Sequence, residues 1–305
     1  MLRKLTFYAA LALAALWAAL APALAQDLPG PLASTEWLRA NLARADLVVI
    51  DIRGKTADDD FAAAHVPGAV WSAYPGAWRG QGAIAGAVPE AADLAATIAA
   101  LGVNSDSLVV IVPAGSNSTE FGGAARLYWS FKYAGHDAVA ILDGGWQAWV
   151  ADAANPLATG LAAPAPGNFT AAIRPELLAT TEAVEAALSA GVPLLDARSA
   201  AQYAGAEKAG AAKRAGHIPG AINLDNDGFY DAASNRIKPL DELRALVPAA
   251  LAGPDVQAIT YCNAGHWSAT EWFVLHELLG YANLSIYVDS MIGWTQDDAR
   301  PVATN

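Results

Sequence analysis

The sequence predicts an α/β protein made of two similar domains, each a mainly parallel sheet flanked by helices. The first observation is that short apolar runs, such as residues 48–50 and 109–112, alternate with helix-like segments, such as residues 124–133 and 269–279. Such runs are typical of strands that are buried on both faces of a parallel sheet. The second observation is that the whole pattern occurs twice, and together the two observations favour an α/β fold.

The repeat is visible in short motifs that recur in the same order. An Asp-x-Arg element ends a strand-like run at residues 51–53 and again at 196–198, and a His-(Val/Ile)-Pro-Gly-Ala element follows at 65–69 and at 217–221. Each copy then closes with a short strand-like run and a tryptophan-bearing stretch. The two Asp-x-Arg elements are 145 residues apart, as are several other matched positions. This pattern indicates duplication of a whole domain rather than a solenoid repeat.

The repeat also predicts the domain boundaries. We expect a first domain over residues 30–150 and a second over residues 176–302. Between them, residues 151–175 are rich in proline, contain an Asn-Pro and a Pro-Gly pair, and show no strong periodicity. Such a segment is typical of a linker.

Residues 1–25 are typical of a signal peptide. A basic start, Arg3 and Lys4, precedes an uncharged apolar stretch, and small residues at its end favour cleavage before Gln26. The alternative is an uncleaved membrane anchor, because the apolar stretch is nearly long enough to span a bilayer. We expect cleavage, no membrane contact afterwards, and a periplasmic location if the source is a Gram-negative bacterium.

The charge of the chain restricts its partners. The formal net charge is −12, and without the two basic residues of the signal peptide the remaining 16 basic and 30 acidic residues give −14. Such an acidic protein is not expected to bind nucleic acid or an anionic membrane surface. An anionic substrate would need a local positive site, because the long-range field of the molecule repels it.

Cys262 is the only cysteine of the chain, and it lies between an apolar strand-like run and a helix-like run. Unpaired thiols in exported proteins are exposed to oxidation, so its presence indicates that the sulfur performs chemistry. The alternative is a buried cysteine that serves as a small apolar side chain. Its place after residues 258–261 favours the first interpretation, because ligands of α/β proteins bind beyond the carboxyl ends of the strands.

The residues that follow Cys262 are small or turn-prone, with Gly265 in the middle, and Ser268 is a candidate N-cap of the next helix. This arrangement lets successive backbone N–H groups surround one point near the positive end of a helix dipole. A thiol at that point should have a lowered pKa, because the N–H groups stabilise its anion. The same groups could hold an oxyanion or the outer sulfur of a persulfide.

On these residues, the chain resembles the tandem-domain rhodaneses, the thiosulfate and 3-mercaptopyruvate sulfurtransferases. The resemblance covers nearly the whole chain after the signal peptide. It implies that Cys262 in the second domain takes a sulfane sulfur from a small anionic donor, becomes a persulfide and passes the sulfur to a thiol or cyanide. It implies no metal and no cofactor, and it leaves room for a sulfur-accepting protein as a partner. The residues it implies for substrate binding are Asn263, Ala264, Gly265, His266, Trp267, Ser268 and Arg198.

Three of these residues have alternatives. Arg198 would bind the donor anion, or else it pairs with an acidic neighbour and holds the end of a strand. We expect His266 to control access to the cleft rather than to transfer protons. We expect Trp267 to shape the mouth of the cleft or to pack on the other domain. Lys213 and Arg214 are a second cationic possibility, although solvated loop charges are the simpler interpretation.

The chain departs from the family pattern in two places. Residues 112–119 of the first domain lack a cysteine, so we expect that domain to be catalytically silent and to form one wall of the cleft. We expect these residues to form a surface loop; the alternative is that they touch the active site. Gln202 stands near the place of a second arginine that the resemblance implies for mercaptopyruvate enzymes. This change favours thiosulfate over 3-mercaptopyruvate as the donor.

Two other functions remain as alternatives, and one kind of site is excluded. A cysteine-dependent phosphatase would need an arginine six residues after its cysteine, where this chain has Ser268. A non-enzymatic sulfur carrier or persulfide-binding module would use the same Cys262. His65, His136 and His276 have no spacing that would form a zinc site.

Overall fold

The computed structural model describes residues 28–57, 60–80, 84, 86–161 and 163–304. The predicted signal peptide, residues 1–25, lies outside these residues. Within the described part of the chain, no helix combines the length and apolar character needed to cross a membrane.

The strands are short and mostly buried. In chain order they are β1 (Leu32–Ala33), β2 (Leu47–Asp51), β3 (Val70–Trp71), β4 (Leu108–Val112), β5 (Val139–Leu142), β6 (Leu194–Asp196), β7 (Ile222–Asn223), β8 (Tyr230–Asp231), β9 (Arg236–Ile237), β10 (Ala258–Tyr261) and β11 (Leu284–Ile286).

The helices alternate with these strands. They are α1 (Thr35–Asn41), α2 (Asp60–Ala63), α3 (Ala91–Ala100), α4 (Ser118–Tyr133), α5 (Gly145–Ala151), α6 (Thr181–Ala190), α7 (Ala200–Tyr203), α8 (Leu240–Leu246), α9 (Trp267–Trp272) and α10 (Ser290–Trp294). Short 3-10 turns occur at Gly76–Trp78, Pro175–Leu177 and Asn226–Phe229, and a π-helical segment, Phe273–Leu278, continues α9.

Each half of the chain forms its own parallel sheet. The first sheet has the strand order β1-β5-β4-β2-β3 and the second has the order β11-β10-β6-β7. All the neighbouring strands in both sheets run parallel, whereas β8 and β9 form a separate antiparallel pair. Every residue of β4 and β10 is buried, because helices cover both faces of a parallel sheet. The predicted pair of α/β domains is confirmed.

The two domains meet at an apolar interface made by α4 and α9. Residues 121–131 of α4 are all buried, and the Tyr128 ring meets the Phe273 ring edge-on with their centroids 4.9 Å apart. Phe121 contacts the same Phe273 ring at 5.6 Å. Such edge-to-face pairs add about 0.5–1.5 kcal/mol each to the stabilisation from area burial. Because α9 follows Cys262 directly, this interface sets the cysteine loop against the first domain.

The repeated Asp-x-Arg element is a buried ion pair that joins a strand end to the next turn. The Arg198 guanidinium donates two hydrogen bonds to Asp196, at 2.9 and 2.6 Å, and a third to the Gly216 carbonyl at 2.8 Å. Arg53 forms the same contacts with Asp51 and the Ala64 carbonyl. Both arginine side chains are almost completely buried.

The prediction that Arg198 binds the donor anion is therefore wrong. Its side chain is 1% exposed and is used for the contacts with Asp196 and Gly216. Asp196 and His217 both have structural roles in the second domain. The backbone of His217 exchanges two hydrogen bonds with Ala303, and its Nδ1 lies 2.8 Å from the Tyr203 carbonyl.

We predict that Arg198→Met lowers the free energy of unfolding by about 3–5 kcal/mol, because the buried Asp196 carboxylate would lose its partner. Urea unfolding measures this loss. Arg53→Met is the matched control in the first domain and should cause a similar loss. Replacing Asp196 and Arg198 together by apolar residues should recover much of the stability. If Arg198→Met were as stable as the native protein but bound the donor poorly, Arg198 would be an anion-binding residue after all.

Candidate active site

Cys262 begins the loop that connects β10 to α9. β10 pairs with β6 on one side and β11 on the other, so this loop leaves the carboxyl end of a central strand. The turn is completed by Gly265, whose φ of 68° lies in the left-handed region that favours glycine. A Cβ atom at Gly265 would also collide with the Arg126 guanidinium and with Val288. The loop can therefore curl tightly only because this position is a glycine.

The Cys262 sulfur accepts hydrogen bonds from its own loop. The His266 backbone nitrogen lies 3.3 Å from Sγ, and the Ser268 hydroxyl oxygen lies 3.6 Å from it. Burial alone would raise the pKa of the Cys262 thiol. Hydrogen bonds from the backbone and hydroxyl of Ser268 and from the backbones of Ala264 and His266 outweigh burial, so the pKa is lowered from its ordinary value. The predicted main-chain cradle is thus formed around the sulfur.

Ser268 contributes to this cradle in a way that differs from the prediction. The helix α9 begins at Trp267, and His266 occupies the N-cap position without a side-chain capping bond. Ser268 therefore lies inside the first turn and is not the N-cap. Its hydroxyl faces the Cys262 sulfur instead, and its carbonyl accepts a hydrogen bond from the Thr260 hydroxyl at 3.0 Å.

Ser290 holds the loop through two of its backbone N–H groups. Its hydroxyl oxygen accepts hydrogen bonds from the backbone N–H groups of Cys262 and Gly265, at 3.0 and 3.2 Å, and donates to the Tyr287 carbonyl at 2.8 Å. Ser290 has a φ of 53°, an uncommon value for a residue with a side chain. Gly145, at the matched position of the first copy, has a φ of 57°. The sequence alone did not point to Ser290, although its alignment with this glycine was a usable signal.

Arg126 reaches the same loop from the first domain. Its fully buried guanidinium donates to the Gly265 carbonyl at 2.9 Å and to the Gly86 carbonyl at 3.0 Å. Burial lowers the pKa of Arg126 to about 10, so it remains cationic at neutral pH. The sequence pattern did not point to this residue, although an arginine near the start of a mostly apolar helix-like run was a usable signal.

A cleft of about 340 Å³ opens beside Cys262, between the two domains. Residues from both domains line it: Tyr74, Pro75, Arg79 and Thr119 from the first, and Cys262, Asn263, Ala264, His266 and Trp267 from the second. The first domain forms one wall of the cleft, as expected. Of the segment 112–119, expected as a surface loop, Thr119 reaches the active site, because it lies in the first turn of α4 and lines this wall.

His266 links the cysteine loop to the first domain. Its Nε2 lies 2.7 Å from the Thr119 carbonyl and must donate to it, so Nδ1 is the acceptor for the Tyr74 hydroxyl at 2.8 Å and for Arg79 at 3.2 Å. Burial, with a smaller effect of Arg79, lowers the pKa of His266 to about 4. The ring is therefore neutral at physiological pH. It packs on Gly122, where a Cβ atom would approach the ring to 3.0 Å.

The side chains of Trp267 and Asn263 hold the rim of the cleft. The indole N–H of Trp267 donates to the Thr119 hydroxyl at 3.2 Å, so this residue contacts the other domain, as the sequence suggested. The Asn263 amide donates to the Gln202 side chain at 2.7 Å. Gln202, which stands where an arginine was expected for mercaptopyruvate enzymes, thus supports the loop as a neutral group.

The remaining cationic candidates lie elsewhere. Lys213 donates to the Gln296 carbonyl, and Arg214 donates to the carbonyls of Asp297 and Arg300. These contacts tie residues 213–214 to the C-terminal segment rather than to the cleft. Among the described residues, no group of histidine, cysteine and acidic side chains could hold a metal ion.

The fold and the site together define a tandem α/β protein whose second domain holds a cysteine in a loop of main-chain N–H groups, directly after a central parallel strand. The particular family follows from comparison with known proteins. A family model described as the rhodanese-like domain matches residues 34–152 and 180–297, and the chain therefore belongs to the rhodanese family. The resemblance found in the sequence is confirmed.

Relatives and solved structures agree with this assignment. A thiosulfate sulfurtransferase of Pseudomonas aeruginosa is 31% identical over 268 residues, which is 87% of this chain and 94% of that protein. A Haloferax volcanii protein, provisionally named for the same activity, is 32% identical over 292 residues, or 89% of this chain and 95% of that protein.

Among solved structures, YnjE superposes with a TM-score of 0.77 at 25% identity and covers 92% of this chain and 70% of its own. The 3-mercaptopyruvate sulfotransferase SseA from Escherichia coli has a TM-score of 0.72 at 24% identity, covering 86% of this chain and 98% of its own. The likeness to SseA supports the fold.

We predict that the alkylation of Cys262 by iodoacetamide reaches half its maximal rate at a pH below about 8.5, the pKa of a free cysteine thiol. The lowered pKa means that the thiolate is present above this midpoint and is lost as the pH falls through it. Ser268→Ala should move the midpoint upward, because the sulfur loses a hydrogen-bond donor. Ser189→Ala, on the exposed face of α6, should not move it. A native midpoint at or above that of free cysteine would contradict the cradle.

Proposed function

We propose that this protein is a sulfurtransferase that moves a sulfane sulfur from a small anionic donor to a thiophilic acceptor through a persulfide on Cys262. The observation that carries the proposal is the position of the Cys262 sulfur, which accepts hydrogen bonds from its loop and lines a cleft between the domains. The sulfurtransferase names of the curated relatives support it. The proposal includes the periplasmic location that residues 1–25 predict.

In the first half-reaction, the Cys262 thiolate attacks the outer sulfur of the donor. With thiosulfate, a new S–S bond forms to Cys262 while the bond between the two sulfurs of thiosulfate breaks, and sulfite leaves with that electron pair. The singly charged thiolate and the doubly charged donor become a singly charged persulfide and doubly charged sulfite, so charge is balanced. The negative charge then resides on the outer persulfide sulfur, which the N–H groups of the loop can stabilise.

In the second half-reaction, the acceptor attacks the outer sulfur and the Cys262 thiolate leaves. With cyanide as the acceptor, the product is thiocyanate. Neither half-reaction requires a proton, provided that Cys262 enters as a thiolate and the acceptor is an anion. This matches the site, because the neutral His266 already donates its ring N–H to Thr119 and is not placed as a base for the sulfur.

Thiosulfate is the favoured donor. A carboxylate-bearing donor such as 3-mercaptopyruvate is expected to need an arginine near Gln202, but Gln202 is neutral and bonded to Asn263. Thiosulfate has a compact charged sulfonate end and an exposed sulfane sulfur, and the cleft beside Cys262 is large enough for it. The small size of the donor also suits a sulfur atom whose residue is only 1% exposed.

We predict that thiosulfate adds the mass of one sulfur atom to the intact protein and that Cys262→Ser and Cys262→Ala abolish this addition. The protein should also release sulfite repeatedly when cyanide or a thiol is supplied. Intact-protein mass spectrometry measures the first effect and a sulfite assay measures the second, with circular dichroism to confirm that the variants fold.

The alternatives give different results in the same assays. An adduct that persists in the Cys262 variants would refute the proposed nucleophile. A single round of loading without turnover would indicate a sulfur carrier for a partner protein. Hydrolysis of an aryl phosphate that is lost on Cys262→Ser would indicate a phosphatase.

A further inference from the structure

An anionic donor faces an electrostatic barrier at this protein. The chain has a formal net charge of −12, which repels a dianion at long range. Arg198 was expected to bind the donor, and Gln202 stands where the family resemblance implies a second arginine. Neither residue supplies a positive charge to the cleft. Arg198 is buried against Asp196, and Gln202 is neutral. The positive charge that the donor needs must come from another residue.

Arg79 of the first domain lies where it can supply a positive charge to the cleft beside Cys262. It follows the 3-10 turn Gly76–Trp78, has extended backbone angles and lines the same cleft as Cys262. Its Nη2 donates to the Tyr74 hydroxyl at 2.9 Å and to the Nδ1 atom of His266 at 3.2 Å. These contacts, together with the Tyr74 ring at 5.5 Å from its guanidinium carbon, fix the charge at the domain boundary.

Arg79 is also the residue whose positive charge faces no competing carboxylate among the described residues that line the cleft. Among the described residues that line the cleft, Arg79 is the cationic one and none is a carboxylate. His266 cannot add a charge without losing its contact with Arg79, because a protonated Nδ1 would face a guanidinium N–H. On its other side, Arg79 lines a separate cavity that contains Glu90 and Asp93. Those carboxylates do not line the cleft beside Cys262.

We propose that Arg79 binds the charged end of the sulfur donor, so that the domain without a cysteine supplies the anion site of the reaction. This inference rests on the proposed sulfurtransferase function and specifies its substrate class as small sulfur donors with a sulfonate or similar compact anionic group. The donor spans the domain boundary, with its anionic group at Arg79 and its sulfane sulfur at Cys262. A guanidinium suits this task because it forms charge-assisted hydrogen bonds with oxyanions.

Steady-state kinetics with thiosulfate test the proposal. Arg79→Gln should raise the KM for thiosulfate about tenfold or more, with a smaller change in kcat, because a charge-assisted contact to the donor is lost. It should also reduce the dependence of kcat/KM on ionic strength. Arg79→Lys, which keeps the charge, should recover part of the loss. Arg244→Gln removes the same charge from the exposed face of α8 and should leave the KM unchanged.

A purely structural role of Arg79 predicts a different pattern. It would slow both half-reactions and lower the melting temperature, whereas donor binding leaves the transfer from preformed persulfide to a neutral thiol unchanged. A native KM for thiosulfate in Arg79→Gln would overturn the proposal and leave the sulfurtransferase function intact.

Calorimetry separates failure of this inference from failure of the proposed function. Thiosulfate is titrated into Cys262→Ser, which cannot react, and into Cys262→Ser combined with Arg79→Gln. Weaker binding in the double variant supports Arg79 as the anion site, even if the native protein transfers no sulfur. Equal binding in the two variants contradicts it. Absence of transfer by the native protein with every donor would refute the proposed function instead.

Discussion

The chemistry of this protein depends on hydrogen bonds from main-chain N–H groups to one sulfur atom. A buried thiol would normally keep its proton, since desolvation disfavours the anion. Here the loop after β10 reverses that preference because its N–H groups and the Ser268 hydroxyl point at the Cys262 sulfur. Two residues outside the loop hold it in this shape: Ser290 binds two of its N–H groups, and Arg126 binds the Gly265 carbonyl. A cation at the sulfur itself is therefore not needed.

Because the domain is duplicated, residues of the first copy can support the active site of the second. Both copies keep the buried Asp-x-Arg pair and the parallel sheet, which maintain the fold, but the cysteine is present in one copy alone. The first copy contributes to the site through the domain interface. Its helix α4 carries Arg126 to the Gly265 carbonyl, and Thr119, in the first turn of the same helix, accepts hydrogen bonds from His266 and Trp267. The interface thus sets the geometry of the cleft as well as the stability of the pair.

The sequence predicted those features that depend on residues close together in the chain, namely the buried strand before Cys262 and the loop after it. The apolar run before Cys262 forms a buried parallel strand, and the small residues after it form the predicted cradle. The predictions for Arg198 and Ser268 were wrong because short-range competition decided them: an adjacent carboxylate binds Arg198, and the helix begins one residue before Ser268. Contacts between the domains could not be predicted, since Tyr74 and His266, for example, are 192 positions apart. Their meeting depends on how α4 packs against α9.

A crystal structure of the thiosulfate-loaded protein tests the central claim most directly. We expect the outer sulfur on Cys262 to lie within the loop, at distances from the backbone nitrogens comparable with the 3.3 Å that separates the His266 nitrogen from the Cys262 sulfur. The loop itself should keep its present shape, because Ser290 and Arg126 already hold it. An outer sulfur turned toward Pro75 and away from every N–H group of the loop would contradict the account.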